Sequence, residues 1–123
     1  MTSSIDFTMF RGDTKIIECT LFDSNANPYN LASCELWFTA KRSITEADGA
    51  AVMSLGTTPL TGITITNPAN GQFVIEITPA NTYSMNSGAT LLCDIQLKDT
   101  NNRVYTVARG TITVVEDVTR TYT

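Results

Sequence analysis

Few side chains in this sequence can do chemistry. They are three cysteines (Cys19, Cys34 and Cys93), the carboxylate pair Glu116-Asp117, the tripeptide Arg11-Gly12-Asp13 and a single tryptophan, Trp37. There is no histidine, so the Ser-His-Asp and Cys-His arrangements that activate a nucleophile cannot be assembled. A buried pair of carboxylates can still do acid–base work. Glu116-Asp117 is the only adjacent pair, and it follows the last apolar run and precedes a Thr-rich tail. It reads as a solvated end. No Gly-rich loop opens a helix, so no phosphate cradle is expected. A metal site would need three Cys and a carboxylate, a poor set for zinc. The inventory predicts a non-enzyme, with no catalytic residue, no cofactor and no metal ligand.

The cysteine number is odd, and none forms a C-x-x-C pair. Each lies among apolar residues at every-second spacing: Ile17-Cys19-Leu21, Cys34-Leu36-Phe38 and Leu91-Cys93-Ile95. That spacing predicts three free, buried thiols acting as small hydrophobes.

Arg11-Gly12-Asp13 spells a tripeptide that cell-surface integrins read in exposed loops. The local reading is complete without a receptor. Gly12 tolerates positive φ, Asp13 can bond nearby backbone, and both lie between two alternating segments. A tight turn is expected, and no signal peptide supports an adhesive role.

The 123 residues suit one domain, 1–123, with 42% apolar residues and a net charge of −4. The eight Lys and Arg are scattered, whereas nucleic acid needs a basic stripe. No apolar run approaches the ~20 residues of a membrane-spanning helix. Neither nucleic acid nor membrane is an expected partner. The start "MTSSIDFTMFRGD" lacks a basic and an apolar region, which predicts synthesis and folding in a cytoplasm.

Short alternating segments recur between turn signals. Ile5, Phe7 and Met9 mark a first strand, residues 15–22 a second and residues 34–42 a third. A short strand follows near 50–55; "ITIT" and "QFVIEIT" flank "NPANG" as a hairpin. "TLLCDIQLK" and "VYTVARGTITVVED" complete the set, with short helical turns expected near 44–48 and 80–85. No segment keeps a 3.6-residue apolar period. The pattern predicts an all-β, antiparallel, immunoglobulin-like β-sandwich of about 7–9 strands. In the last strand the inward set changes from odd (Tyr105, Val107) to even (Ile112, Val114). One extra residue must be absorbed, and glycine favours that, so a bulge or change of sheet is expected at Gly110.

Alternation buries Leu36 and Phe38 and turns Trp37 outward beside Thr39 and Lys41. Either a loop or the N-terminal strand covers Trp37, or a partner does. The first strand lies next to a terminus and can add to a neighbour's sheet. Trp37, Thr39, Lys41, Ile5, Phe7 and Met9 are therefore the candidate partner-binding residues.

Longer phrases carry a resemblance. "RGDT", "LWFTAKRSITEADGAAV", "GITITNPANGQFVIEITPANT" and "CDIQLKDTNNRVYTVARGTITVVEDVTR" together resemble small β-sandwich proteins encoded among tail and baseplate genes of tailed bacteriophages. They look like the N-terminal, virion-attaching domain of phage upper baseplate proteins, over about Phe7 to Arg120. The resemblance implies an immunoglobulin-like sandwich, no catalysis and a structural place in a virion. In that family the domain often precedes a coiled stalk and a receptor-binding head. Neither occurs in these 123 residues, which favours an adaptor or decorating subunit.

The expected role is a non-enzymatic virion structural protein of tail, baseplate or fibre attachment. It would dock onto other virion proteins, with homo-oligomers possible in the particle. The alternatives are a carbohydrate-binding β-sandwich on a virion or cell surface, with Trp37 or Tyr29 as platform, and a capsid or neck decoration protein.

Overall fold

A computed structural model describes residues 3–47, 51–57, 61–83, 85 and 88–118. The nine strands among them are β1 (Ser3–Ser4), β2 (Phe7–Phe10), β3 (Lys15–Thr20), β4 (Glu35–Lys41), β5 (Met53–Gly56), β6 (Ile63–Asn67), β7 (Gln72–Ile77), β8 (Ala89–Lys98) and β9 (Val104–Val115). A 3₁₀ turn, Pro68–Asn70, and one short helix, α1 (Pro79–Tyr83), complete the elements. The helix falls on the helical turn expected near 80–85. Residues 44–45 form only a turn, and residue 48 lies outside the described residues.

The strands form a six-stranded sheet, ordered β1-β9-β8-β4-β5 with β2 also on β9, and a three-stranded sheet, β3-β7-β6. A parallel bridge, Gly56↔Gly62, joins the sheets on one side. On the other side β1 and β2 end one sheet and β3 ends the other. The result is a mostly β fold curled into a partly open half-barrel.

Binary patterning explains the burial. β4 alternates half-buried and buried residues along its whole length, with Leu36, Phe38 and Ala40 inward. β8 also alternates, with Leu91, Cys93, Ile95 and Leu97 inward and exposed or half-buried residues between them. Ile63, Ile75 and Ile77 answer them from the other sheet, each fully buried. β-branched residues suit such a pleated, half-buried surface.

Two expectations are corrected. The first concerns the all-antiparallel reading. β1 and β2 run parallel to β9 in one register, from Ser3↔Ala108 to Phe10↔Val115. Period-two alternation is the same in both pairings, so it cannot tell them apart. This first strand is also split, with a gap at Ile5 and Asp6. The second concerns the bulge. The β8–β9 register shifts where Ile95↔Ala108 gives way to Gln96↔Thr106, so Val107 is the extra residue. Val107 and Ala108 are consecutive and both buried, which is the change of phase. Gly110 pairs in register with Cys93, and β9 stays in one sheet. Gly110 instead makes room for a close approach, because a Cβ there would lie 2.0 Å from the Ile5 carbonyl oxygen. The N-terminal segment runs close beside β9 at that point. It is held by Ile5 N–H to Arg109 O at 3.2 Å. The Asp6 carboxylate accepts from Thr111 N–H at 2.9 Å and from its hydroxyl at 3.1 Å.

Candidate functional site

Arg11-Gly12-Asp13 forms the expected turn between β2 and β3. Asp13 N–H donates to Phe10 O at 3.2 Å, and Gly12 has φ of +81°. The arginine is not on display: Arg11 is 4% exposed. Its Nε donates to Asp117 Oδ1 at 2.7 Å, its Nη1 donates to the Tyr83 carbonyl, and its guanidinium lies over the Tyr83 ring. Arg11 N–H donates to Val115 O at 2.8 Å, and Gly12 N–H to Thr82 Oγ1 at 2.8 Å. One buried arginine therefore ties together the β2–β3 turn, the end of α1 and the chain beyond β9. An adhesion receptor that reads the guanidinium cannot reach it. The reading of Asp117 as a solvated end is also corrected, because it is the ion-pair partner of Arg11 and only 13% exposed. Its neighbour Glu116 is exposed.

All three thiols are free. Only Cys93 is buried; Cys19 and Cys34 are half-buried, which corrects the expectation of three inaccessible groups. Cys19 lies near the end of β3, and Cys34 lies just before β4. Burial pushes the Cys19 and Cys93 thiols from 9.0 up to about 11, with Asp6 and Asp94 adding to the effect at Cys93. Burial and then Asp99 raise that of Cys34. Native thiol titration is expected to label Cys34 first and Cys93 only on unfolding. The pH dependence has a definite sign. Well below pH 9 the Cys19 and Cys93 thiols are protonated in both states and contribute no slope. Between about 9 and 11 the unfolded chain loses the proton and the folded chain keeps it, so stability falls as pH rises. Urea midpoints should decline over this window, and less steeply in a Cys19→Ala/Cys93→Ala variant. Parallel curves for the two proteins would refute this.

Among the described residues no three His, Cys, Asp or Glu side chains converge as a metal site would require. The candidate docking residues divide into two sets. Trp37, Thr39 and Lys41 share the outer face of β4, as alternation requires, and are half-buried. Among the described residues, Gly56 of β5 is a neighbour of Trp37: the ring lies on it, with Cδ1 3.1 Å from where a glycine Cβ would be. Thr39 and Lys41 line a shallow polar groove of about 270 Å³ with Asp94, Gln96, Thr106 and Arg109. The last two flank the Val107 bulge. Ile5, Phe7 and Met9 sit at the opposite edge of the sheet with β8 and β9 between. Met9 belongs to the core, and Ile5 and Phe7 pack against it. A neighbour would meet the backbone of this strand rather than these three side chains.

Alternation did not reveal the open side of the half-barrel. Between β1 and β3 lies an apolar cleft of about 250 Å³, lined by Ile5, Ile17, Cys19, Phe73, Val107 and Ala108 among others. Nearer the Arg11 turn, Lys15 Nζ sits 5.7 Å from the Phe7 ring centroid. Residues 15–22 signal a strand in the sequence, but not which of its edges stays unpaired.

No protein-family model matches the chain, and no curated protein matches it.

Proposed function

We propose that the chain is a non-enzymatic structural subunit of a tailed-bacteriophage virion. It serves as an adaptor of tail, baseplate or fibre attachment that docks onto other virion proteins. The sequence resemblance to virion-attaching domains supports this, and so does the strand order. β9-β8-β4 set against β3-β7-β6 follows the order of an immunoglobulin-like sandwich, with the first strand moved onto the last. On this reading residues 1–123 are one such domain, folded in the host cytoplasm and carried in the particle.

The observation that carries the docking role is the open side. A protein that works alone covers, charges or kinks its sheet edges. Here β3 is a regular six-residue edge beside an apolar cleft; it carries Lys15 and Glu18, yet no described strand covers it. A carbohydrate platform has less support, because Trp37 lies on Gly56 and does not line the polar groove. The test is the protein composition of purified particles by quantitative mass spectrometry, with antibody labelling to locate the chain. A fixed copy number at the tail or baseplate is the expected result. Labelling at capsid or neck would favour a decorating role, and absence from particles would overturn the proposal.

A further inference from the structure

We infer that the free edge of β3 is a strand-addition site for an extended partner segment with apolar residues on one side and basic residues on the other. The inference deepens the docking role proposed above and rests on it. Hydrogen-bond parity identifies the edge. Glu76 N–H donates to Gly62 O at 2.8 Å, so the even-numbered residues of β7 turn their backbone groups toward β6. Its odd-numbered residues face β3, in the pairs Lys15↔Ile77, Ile17↔Ile75 and Cys19↔Phe73. Leu21 N–H to Gly71 O at 2.9 Å continues that alternation. Ile16, Glu18 and Thr20 therefore aim N–H and C=O groups away from β7, into the seam. No strand and no other described residue bonds to them. Backbone groups left in this way are the template on which extended peptides add.

Two further observations define the occupant. The inward residues beside this edge, Ile17 and Cys19, are only half-buried and open onto the apolar cleft. Alternate side chains of an added strand would fill it. On the solvent face, Glu18 and Glu76 are exposed. The only cation in β3, β6 or β7 is Lys15, which turns inward to Phe7. A basic side chain opposite Glu18 completes a favourable cross-strand pair, whereas an acidic one is repelled.

The experiment uses the full chain and a peptide of about eight residues alternating Val and Lys, long enough to span the edge. Binding is followed by NMR. Slower hydrogen exchange is expected at the Ile16, Glu18 and Thr20 amides. Glu18→Pro removes an outward N–H and no ladder bond, so the fold is kept. The substitution should weaken binding about tenfold, as the loss of one net hydrogen bond together with the Glu18 cross-strand charge pair implies. N-methylating the edge-facing amides of the peptide should do the same with the protein unaltered, which decides the matter if Glu18→Pro does not fold. A Val–Glu peptide should bind more weakly than Val–Lys at low salt. The inference is overturned if Val–Lys does not bind, or if neither Glu18→Pro nor N-methylation weakens it. It is also overturned if the chain self-associates through this edge and Glu18→Pro abolishes that, because the occupant is then a second copy. None of these outcomes depends on whether the chain is found in particles, so the two proposals fail separately.

Discussion

Arg11→Met is expected to lower the unfolding free energy by about 3 kcal/mol, the lower end of the cost of breaking a buried ion pair from one side. The methionine fills much of the space but donates nothing. The Asp117 carboxylate, 13% exposed, loses the guanidinium that sits 2.7 Å away. The Tyr83 carbonyl at the end of α1 loses a charged donor, and bonds to charged groups are the stronger class. For a domain of this length, total stability is roughly 6–18 kcal/mol, so the loss is a large share. Arg11→Lys should recover only part, since an ammonium cannot reproduce a two-sided fork. Urea denaturation of Arg11→Met, Asp117→Asn and the double variant separates the pair from its surroundings. A coupling energy near zero would mean that the guanidinium is held by packing alone. The same substitution bears on the adhesive reading of the tripeptide, because its cost comes from a buried group and requires no receptor.

The sequence made local features legible and left non-local ones hidden. Alternation placed Leu36 and Phe38 inward and Trp37 outward, and β4 has that burial pattern. The turn chemistry of Gly12 was equally plain. What Arg11 touches was not, since Tyr83 and Asp117 are far away in the chain. The phase change in β9 was visible from Tyr105 to Val114, yet it falls at Val107. A glycine nearby drew the expectation to position 110, and that glycine answers to a segment from the other end of the chain. Likewise, one-sided alternation describes a strand's faces and says nothing of its edges. The seam beside β3 depends on β1 and β2 pairing with β9 instead, a choice settled by the whole fold.

Gly110→Ala is the sharpest test of the close approach between the N-terminal segment and β9. At an unstrained site, exchanging glycine for alanine stabilises slightly by restricting the unfolded chain. Here the added methyl would stand 2.0 Å from the Ile5 carbonyl oxygen, 2.6 Å from its carbonyl carbon and 2.8 Å from Asp6 Oδ1. Two of these are backbone atoms, so no rotamer change relieves the overlap. Either β9 bends away, which disturbs its ladder with β8, or the N-terminal segment lifts off. The second course breaks fewer contacts. It gives up the Ile5–Arg109 bond and both Asp6–Thr111 bonds, and loosens Ile5 against the core. A cost of about 3 kcal/mol is expected, at the upper end for an overpacked site. The mode of failure has its own reporter. Cys93 is 4% exposed, and its thiol points to the Ile5 carbonyl oxygen at 3.7 Å. If the segment lifts, Cys93 should react with a thiol reagent while the rest of the protein stays folded, whereas in the unaltered protein it stays silent. Asp6→Ala, which removes the anchoring carboxylate without the clash, should show the same exposure more weakly. A stable Gly110→Ala protein with a silent Cys93 would mean that the segment does not pack against this glycine.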